Sequence, residues 1–328
     1  MSSQIGLRVV GVSEQGNWQS SALPWQVPLF GRLCSLAGQQ RLPHAVLLTG
    51  PRGAGKAHLA AALASQLLCK KAGAAGACGH CDSCELVRGG GHGDLRWLVP
   101  EEGKRAIGID AVRSVVGFMQ QTPAYGEYKV LVVDPAEAMT TAAANAFLKT
   151  LEEPPGQAVI LMTSNRPGDL LATVRSRCSM TSVPVARELE AIDWLMTVSG
   201  CDTATAEQAL VLAGGQPLLG AEMLAAGMEE RILLATGLAR HIARGGGSAD
   251  ELRGLFDPFD LETALDTAVI CLERAIRKAP GAKGIQTLFR QRDQLLAWLA
   301  ATRRGVNLGR EPLLGEMVRG FSHAVPFS

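Results

Sequence analysis

Short apolar runs alternate with segments of helical composition through the first half of the chain. The apolar runs predict buried β-strands at residues 45–49, 95–99, 129–134 and 158–164. The Ala- and Leu-rich segments between them predict helices at residues 57–68, 110–120, 140–152 and 170–176. Strands that alternate with helices favour an α/β fold, in which a parallel sheet carries helices on both faces.

From about Val185 onward the pattern is purely helical. Helices are predicted at residues 188–197, 205–213 and 218–226, with glycine-rich breaks at 214–217 and 245–248. These changes of pattern divide the chain into an extension of unknown structure at residues 1–22, an α/β domain at 23–186, a small helical domain at 187–227 and a helical C-terminal domain at 228–328.

Composition describes an ordinary globular protein. The chain has 328 residues, of which 47% are hydrophobic and 19% charged, so it can bury a sizeable core. No apolar run is long enough for a membrane helix, and residues 1–26 lack the basic and apolar regions of a secretory signal, so we expect a cytoplasmic protein. The net charge of +1 predicts no bulk attraction to nucleic acid or lipid, so any DNA contact must be local or indirect.

The segment Gly50-Pro-Arg-Gly-Ala-Gly-Lys56-Ala57 matches a phosphate-binding loop up to its last position. In such a loop the glycines let backbone N–H groups point at phosphate oxygens, and the lysine balances the phosphate charge. The last position normally supplies a hydroxyl that ligates Mg²⁺, and Ala57 has no oxygen. Lys56 either still binds an anion weakly or is a vestigial lysine that bonds only to groups nearby in its own chain. The missing metal ligand favours the second interpretation. The predicted nucleotide contacts are Gly50, Gly53, Gly55 and Lys56.

A second defect follows the predicted strand at 129–134, which ends in Asp134-Pro135. A working ATPase of this type would supply two adjacent acids here, for the metal and for the attacking water, and Pro135 can serve neither. Thr163 and Asn165 lie at the end of the predicted strand at 158–164, where we predict that they satisfy backbone groups. Two independent losses predict a nucleotide-switch architecture that does not bind ATP productively.

Four of the eight cysteines form a compact cluster with the spacing Cys-x8-Cys-x2-Cys-x2-Cys. The members of this cysteine cluster are Cys69, Cys78, Cys81 and Cys84. Because a cytoplasmic chain keeps its thiols reduced, the spacing predicts a closed structural Zn²⁺ site rather than disulfides. An iron–sulfur cluster is the alternative, but the loop carries no other redox signature. The remaining cysteines are scattered and are predicted to be small buried hydrophobes.

Several segments of the chain occur together in a known family. They are the phosphate loop with a cysteine insertion after its helix, Asn145-Ala-Phe-Leu-Lys-Thr-Leu-Glu-Glu-Pro-Pro155, Thr163-Ser164-Asn165 and Arg175-Ser176-Arg177-Cys178. With this combination the chain closely resembles bacterial clamp-loader subunits of the AAA+ superfamily, densely as far as Cys178 and weakly afterward. The resemblance implies an α/β AAA+ P-loop domain, a small helical lid domain and an all-helical C-terminal collar domain.

The resemblance also assigns a role to Arg177. In this family the arginine of the Ser-Arg-Cys motif acts as a trans arginine finger on ATP held by a neighbouring subunit, because a planar cation suits charge spread over phosphoryl oxygens. From the residues alone, Arg177 could equally pair with a carboxylate of its own domain. Leu218 and Leu219 stand where an active motor often offers an arginine, so the resemblance implies a subunit that does not hydrolyse ATP.

The implied assembly is a hetero-pentamer with motor subunits of the gamma/tau type and a delta subunit. It loads a sliding clamp on primed DNA, while the DNA-directed DNA polymerase activity resides in other chains. One rival is an active motor-type ATPase that holds Mg²⁺ through water. Another is a zinc-dependent nucleic-acid-binding module, which is disfavoured because residues 69–84 offer only Lys70 and Lys71 and no aromatic residue.

Overall fold

The computed structural model describes residues 22–73, 76–104, 106–226, 229–278, 285–303, 306 and 308–322, without the side chains of residues 229, 278 and 303. The predicted N-terminal extension therefore lies outside the described residues, apart from its last residue. The chain divides into two compact units that meet between Glu190 and Ala191. We call them the α/β unit and the helical unit.

The α/β unit contains one sheet of five parallel strands. In chain order they are β1 (Ala45–Thr49), β2 (Leu95–Leu98), β3 (Lys129–Val133), β4 (Ala158–Ser164) and β5 (Ser179–Ser182). Their order across the sheet is β2-β3-β4-β1-β5. Because the strands are parallel, the residues that follow β1, β3 and β4 meet at one edge of the sheet.

Helices cover both faces of this sheet. They are α1 (Val27–Gly38), α2 (Lys56–Leu68), α3 (Asp82–Arg88), α4 (Ile109–Met119), α5 (Thr141–Glu152) and α6 (Ala172–Arg175). Alternate residues of β1 divide between two cores: Leu47 packs in the same cluster as α4 and α5, and Leu48 in the same cluster as α1 and α2. The predicted parallel α/β architecture is confirmed.

Three elements of the α/β unit lie outside the predicted set. Helices α1 and α3 were not assigned from the sequence, and β5 falls in a segment whose alternation is weak. Three of the four β5 residues are exposed, because this strand lies at the edge of the sheet and pairs only with β1. An edge strand does not need the continuous apolar run that marks buried parallel strands.

The helical unit is built on one hydrophobic core. Its helices are α7 (Glu188–Ser199), which begins just before the unit boundary, α8 (Thr203–Leu212), α9 (Pro217–Ala225), α10 (Glu229–Arg244), α11 (Ala249–Phe256), α12 (Leu261–Lys278), α13 (Ile285–Arg303) and α14 (Arg310–Ser322). Leu212 of α8 shares its core with Leu238 of α10 and Leu272 of α12. One hydrophobic core therefore includes residues from before and after residue 227, where the sequence predicted a domain boundary. A separate small helical domain stays a prediction.

Among the described residues, no helix is both long enough and apolar enough to cross a membrane.

Candidate functional site

The phosphate loop joins β1 to the first turn of α2. Gly53 and Gly55 adopt φ angles of 82° and 84°, a left-handed conformation that side chains disfavour. Gly55 is also the residue before the helix, so α2 begins directly at Lys56. The loop thus has the turn that its glycine pattern predicts, at the carboxyl edge of the sheet.

Lys56 is turned into this loop and is bonded within the chain. Its Nζ donates to the carbonyl oxygens of Gly50 at 2.9 Å and Pro51 at 2.7 Å, and to Oδ1 of Asn165 at 2.7 Å. An ammonium group has three hydrogens, so each one has an internal acceptor. Only 6% of the residue is exposed, and burial lowers the pKa of Lys56, although Asp134 and Glu137 oppose that shift.

The other side of the loop is held by the segment before α1. The Nε2 of Gln26 donates to the carbonyl oxygens of Ala54 at 3.0 Å and Gly55 at 2.9 Å, and Trp25 Nε1 donates to Ala54 at 3.3 Å. Gln26 is fully buried. The loop backbone is therefore fixed by side chains of the chain itself, a role that the sequence did not assign to Trp25 or Gln26.

Asp134 follows β3, next to the loop. Thr163 Oγ1, on the adjacent strand β4, donates to Asp134 Oδ1. Burial raises the pKa of Asp134 above its ordinary value, and the bond from Thr163 and the charge of Lys56 only reduce that shift. Pro135 occupies the next position and leads into a 3-10 turn at Ala136–Ala138, so no second acid stands beside Asp134 in the chain.

Glu137, on that turn, reaches the end of β4. Its Oε1 accepts from the backbone N of Asn165 at 2.9 Å and from Nδ2 of the same residue at 3.1 Å. Burial alone would raise the pKa of Glu137, but bonds from backbone amides and from Ser164 and Asn165 outweigh it, so the pKa lies below its ordinary value. The carboxylate thereby orients Asn165 with Oδ1 toward Lys56.

These contacts correct one expectation and add one residue. Thr163 and Asn165 bond to side chains of the site, not to backbone groups at the strand end. Sequence reasoning missed Glu137, whose only signal was that it is the first acid after the Asp134-Pro135 break. Ala57 lies in the first turn of α2, and Leu218 and Leu219 lie in the first turn of α9.

The cysteine cluster lies immediately after α2, and α3 carries its last member. The four Sγ atoms lie within 4.8 Å of one another. Separations are 3.9 Å for Cys69–Cys81, 3.9 Å for Cys78–Cys84 and 3.5 Å for Cys81–Cys84. Four thiolates at about 2.3 Å around a tetrahedral ion lie about 3.8 Å apart. The cluster therefore has the donor set and spacing to hold a single metal ion.

Arg177 lies between α6 and β5, away from the phosphate loop in the chain. Its Nε donates to Glu152 Oε1 at 2.6 Å, and its Nη2 donates to the same oxygen. Its Nη1 donates to the carbonyl oxygen of Thr173 at 3.0 Å and is 3.4 Å from Ser176 Oγ. The side chains of Arg177 and Glu152 are 32% and 47% exposed. In the single chain, Arg177 thus pairs with a carboxylate of its own domain.

The strand order and the loop between β1 and α2 define the α/β unit as a parallel α/β domain of the phosphate-loop type. A DNA polymerase III gamma subunit-related protein from Thermotoga maritima has the same fold, with 20% identity, a TM-score of 0.52, and 91% of this chain and 99% of that chain covered. The family model described as DNA polymerase III, delta subunit, matches residues 25–186.

Two curated relatives are DNA polymerase III subunits delta-prime. The chain is 43% identical to the Pseudomonas aeruginosa protein over 209 residues, 63% of each chain. It is 38% identical to the Escherichia coli protein over 194 residues, 59% of this chain and 58% of that one. Over residues 25–186 the chain therefore matches the family model of the DNA polymerase III delta subunit, and its resemblance to delta-prime subunits is confirmed. The matches span about three fifths of the length of these relatives.

Proposed function

We propose that this chain is a delta-prime subunit of a DNA polymerase III clamp loader and that it does not hydrolyse ATP itself. The bonding of Lys56 is the observation that carries the proposal. An active phosphate loop presents its lysine to the β- and γ-phosphates. Here the ammonium group is buried and has three internal acceptors, while Ala57 and Pro135 leave Mg²⁺ without its usual hydroxyl and acid pair.

In this proposal the chain acts on the chemistry of a neighbour. Arg177 would be the catalytic residue that it contributes, as a trans arginine finger on ATP held by a gamma/tau-type motor subunit. The AAA+ domain would then be a rigid member of a hetero-pentamer that also contains a delta subunit, and the helical unit would include its collar. Hydrolysis in the neighbour would be coupled to loading of a sliding clamp on primed DNA.

The test compares the isolated chain with the assembled loader. The isolated chain is expected to show no ATPase above background, and Ala57→Ser should not create one, because Lys56 and Pro135 are unchanged. In the complex, Arg177→Ala should cost about 10³- to 10⁵-fold at the site facing this chain, so the total rate falls in part. Tight magnesium-dependent ATP binding by the isolated chain, or a parental rate for the assembled Arg177→Ala complex, would contradict the proposal.

We further propose that the cysteine cluster binds Zn²⁺ in a structural role. Four thiolates in a closed tetrahedral site suit zinc, and the thiolate of Cys69 also accepts backbone N–H groups of Lys71 and Cys78 at 3.4 and 3.2 Å. Protein purified without chelator is expected to contain one zinc per chain. Cys81→Ser should loosen residues 69–84 but not the sheet, as hydrogen exchange would measure, and a finding of iron or of no metal would overturn the assignment.

A further inference from the structure

The guanidinium group of Arg177 is held from two sides. Glu152 takes the edge formed by Nε and one Nη2 hydrogen, and Thr173 and Ser176 lie against Nη1. A guanidinium group has five N–H donors. Among the described residues, the second Nη2 hydrogen has no acceptor. The plane of the group is therefore set by its own chain, while one N–H remains for an outside acceptor.

The helix that carries Glu152 is anchored in the core of the α/β unit. Glu152 is the last residue of α5, whose Phe147 and Leu151 are fully buried against the sheet. At the other end, Thr140 Oγ1 accepts from the backbone N of Ala143 at 3.2 Å and caps the helix. Helix α5 also packs against α6, which carries Thr173. The two elements that hold Arg177 are thus fixed to each other.

We propose that Glu152 is the positioning residue for Arg177 and sets the orientation in which this arginine meets a phosphate of the neighbouring subunit. The inference rests on the proposed function. A finger acts on charge that develops in the transition state, so its effect depends on the position of its donors. Misplacement of a reacting group by about 1 Å can cost about 100-fold in rate. Without Glu152 the long arginine side chain would lose one of its two supports.

A first experiment examines the pair in the isolated chain. Phenylglyoxal labels accessible arginines, and mass spectrometry gives the rate at Arg177. Glu152→Ala is expected to increase that rate about threefold, because removing an exposed pair worth about 0.2–1 kcal/mol frees the guanidinium group more often. Glu153→Ala is the matched control, since Glu153 is the next residue and has no side-chain bond to Arg177 among the described contacts. Equal rates in the parent and in Glu152→Ala would overturn the inference.

A second experiment measures ATPase of the assembled loader. The loss caused by Arg177→Ala defines the share of the rate that depends on this chain. Glu152→Ala is expected to lower that share about tenfold, Glu152→Gln less because it keeps an acceptor oxygen, and Glu153→Ala not at all. In the Arg177→Ala background, Glu152→Ala should have no further effect, because a positioning residue acts only through its partner.

The outcomes separate this inference from the proposed function. If Arg177→Ala lowers the rate but Glu152→Ala does not, Arg177 is a finger and Glu152 does not position it. If the two losses simply add, Glu152 has a structural role elsewhere and the inference is wrong. A parental rate for assembled Arg177→Ala would overturn the proposed function, and the role of Glu152 in the reaction would be wrong with it.

Discussion

The phosphate loop and the surface around Arg177 differ in how their cations are held. Lys56 is buried and bonded to three acceptors, two of them backbone carbonyl oxygens. Arg177 is partly exposed and has one acidic partner that is itself about half exposed. Removing a buried hydrogen-bonded group is costly, whereas an exposed ion pair contributes little to the free energy of unfolding. The cation of the phosphate loop is thus bonded entirely within the chain, whereas Arg177 keeps one N–H for a second partner. We call the first region the closed site and the second the open site.

This comparison predicts a large stability difference between variants of the two sites. Lys56→Met should destabilise the α/β unit by about 1–3 kcal/mol, because it removes three hydrogen bonds made by a charged donor that is itself buried. The measurement is hydrogen exchange of the β1 and β4 amides, which report this unit alone. Lys104→Met is the control, since Lys104 is exposed and pairs only at the surface with Glu101. A loss no greater than in the control would show that Lys56 is not held as described.

The pH dependence of the closed site is expected to come from two acids with opposite signs. The folded-state pKa of Asp134 is raised, so its contribution to stability is present below its unfolded value and is lost as pH rises through the folded value. The folded-state pKa of Glu137 is lowered, so its contribution is present above its unfolded value and is lost as pH falls.

Replacing each acid by its amide separates these contributions. Asp134→Asn should remove the pH dependence that comes from Asp134, and at neutral pH it should leave the free energy of unfolding unchanged or raise it by on the order of 1 kcal/mol. Glu137→Gln should lower the free energy of unfolding at neutral pH by on the order of 1 kcal/mol. Urea unfolding between about pH 4 and 8, with hydrogen exchange of the peptides from β1 and β4 as the readout, measures the contributions of both acids. Changes of the same sign at neutral pH would refute this description of the network.

The smallest effect is expected at the open site. Arg177→Gln should change the stability of the α/β unit by less than about 1 kcal/mol, and the change should shrink as salt is added, because an exposed pair is screened. The same exchange measurement applies. A loss of more than about 2 kcal/mol that is insensitive to salt would mean that Arg177 is a structural residue. The proposed finger role requires a large effect of Arg177→Gln on the loader's ATPase but not on stability.

Local signals account for what the sequence predicted well. Helix α5 was predicted from its Ala- and Leu-rich composition and β4 from a continuous apolar run, because neighbouring residues decide both. The cysteine spacing likewise brought four sulfurs together. The edge strand β5 carries no such pattern, since three of its four residues are exposed.

The contacts inside the two sites depend on tertiary structure. Asn165 lies 109 positions from Lys56, and Glu152 lies 25 positions from Arg177. The sequence limited the candidate partners of Arg177 to some carboxylate of its domain but gave no means to choose Glu152 over Glu153. Only the packing of α5 against α6 makes that choice. The interactions of Glu137 and Gln26 could not be predicted from the local sequence pattern for the same reason.

Helix α5 begins just after the turn that carries Glu137 and ends at Glu152, so a single helix of about 18 Å connects the two sites. In an active ATPase, a helix in this place would transmit a change at the nucleotide site to its other end. Here the end at the closed site is locked by the chain's own bonds. If the chain serves in a clamp loader as proposed, the opposite end is a fixed point that holds Arg177 in place while the neighbouring subunit changes its nucleotide state.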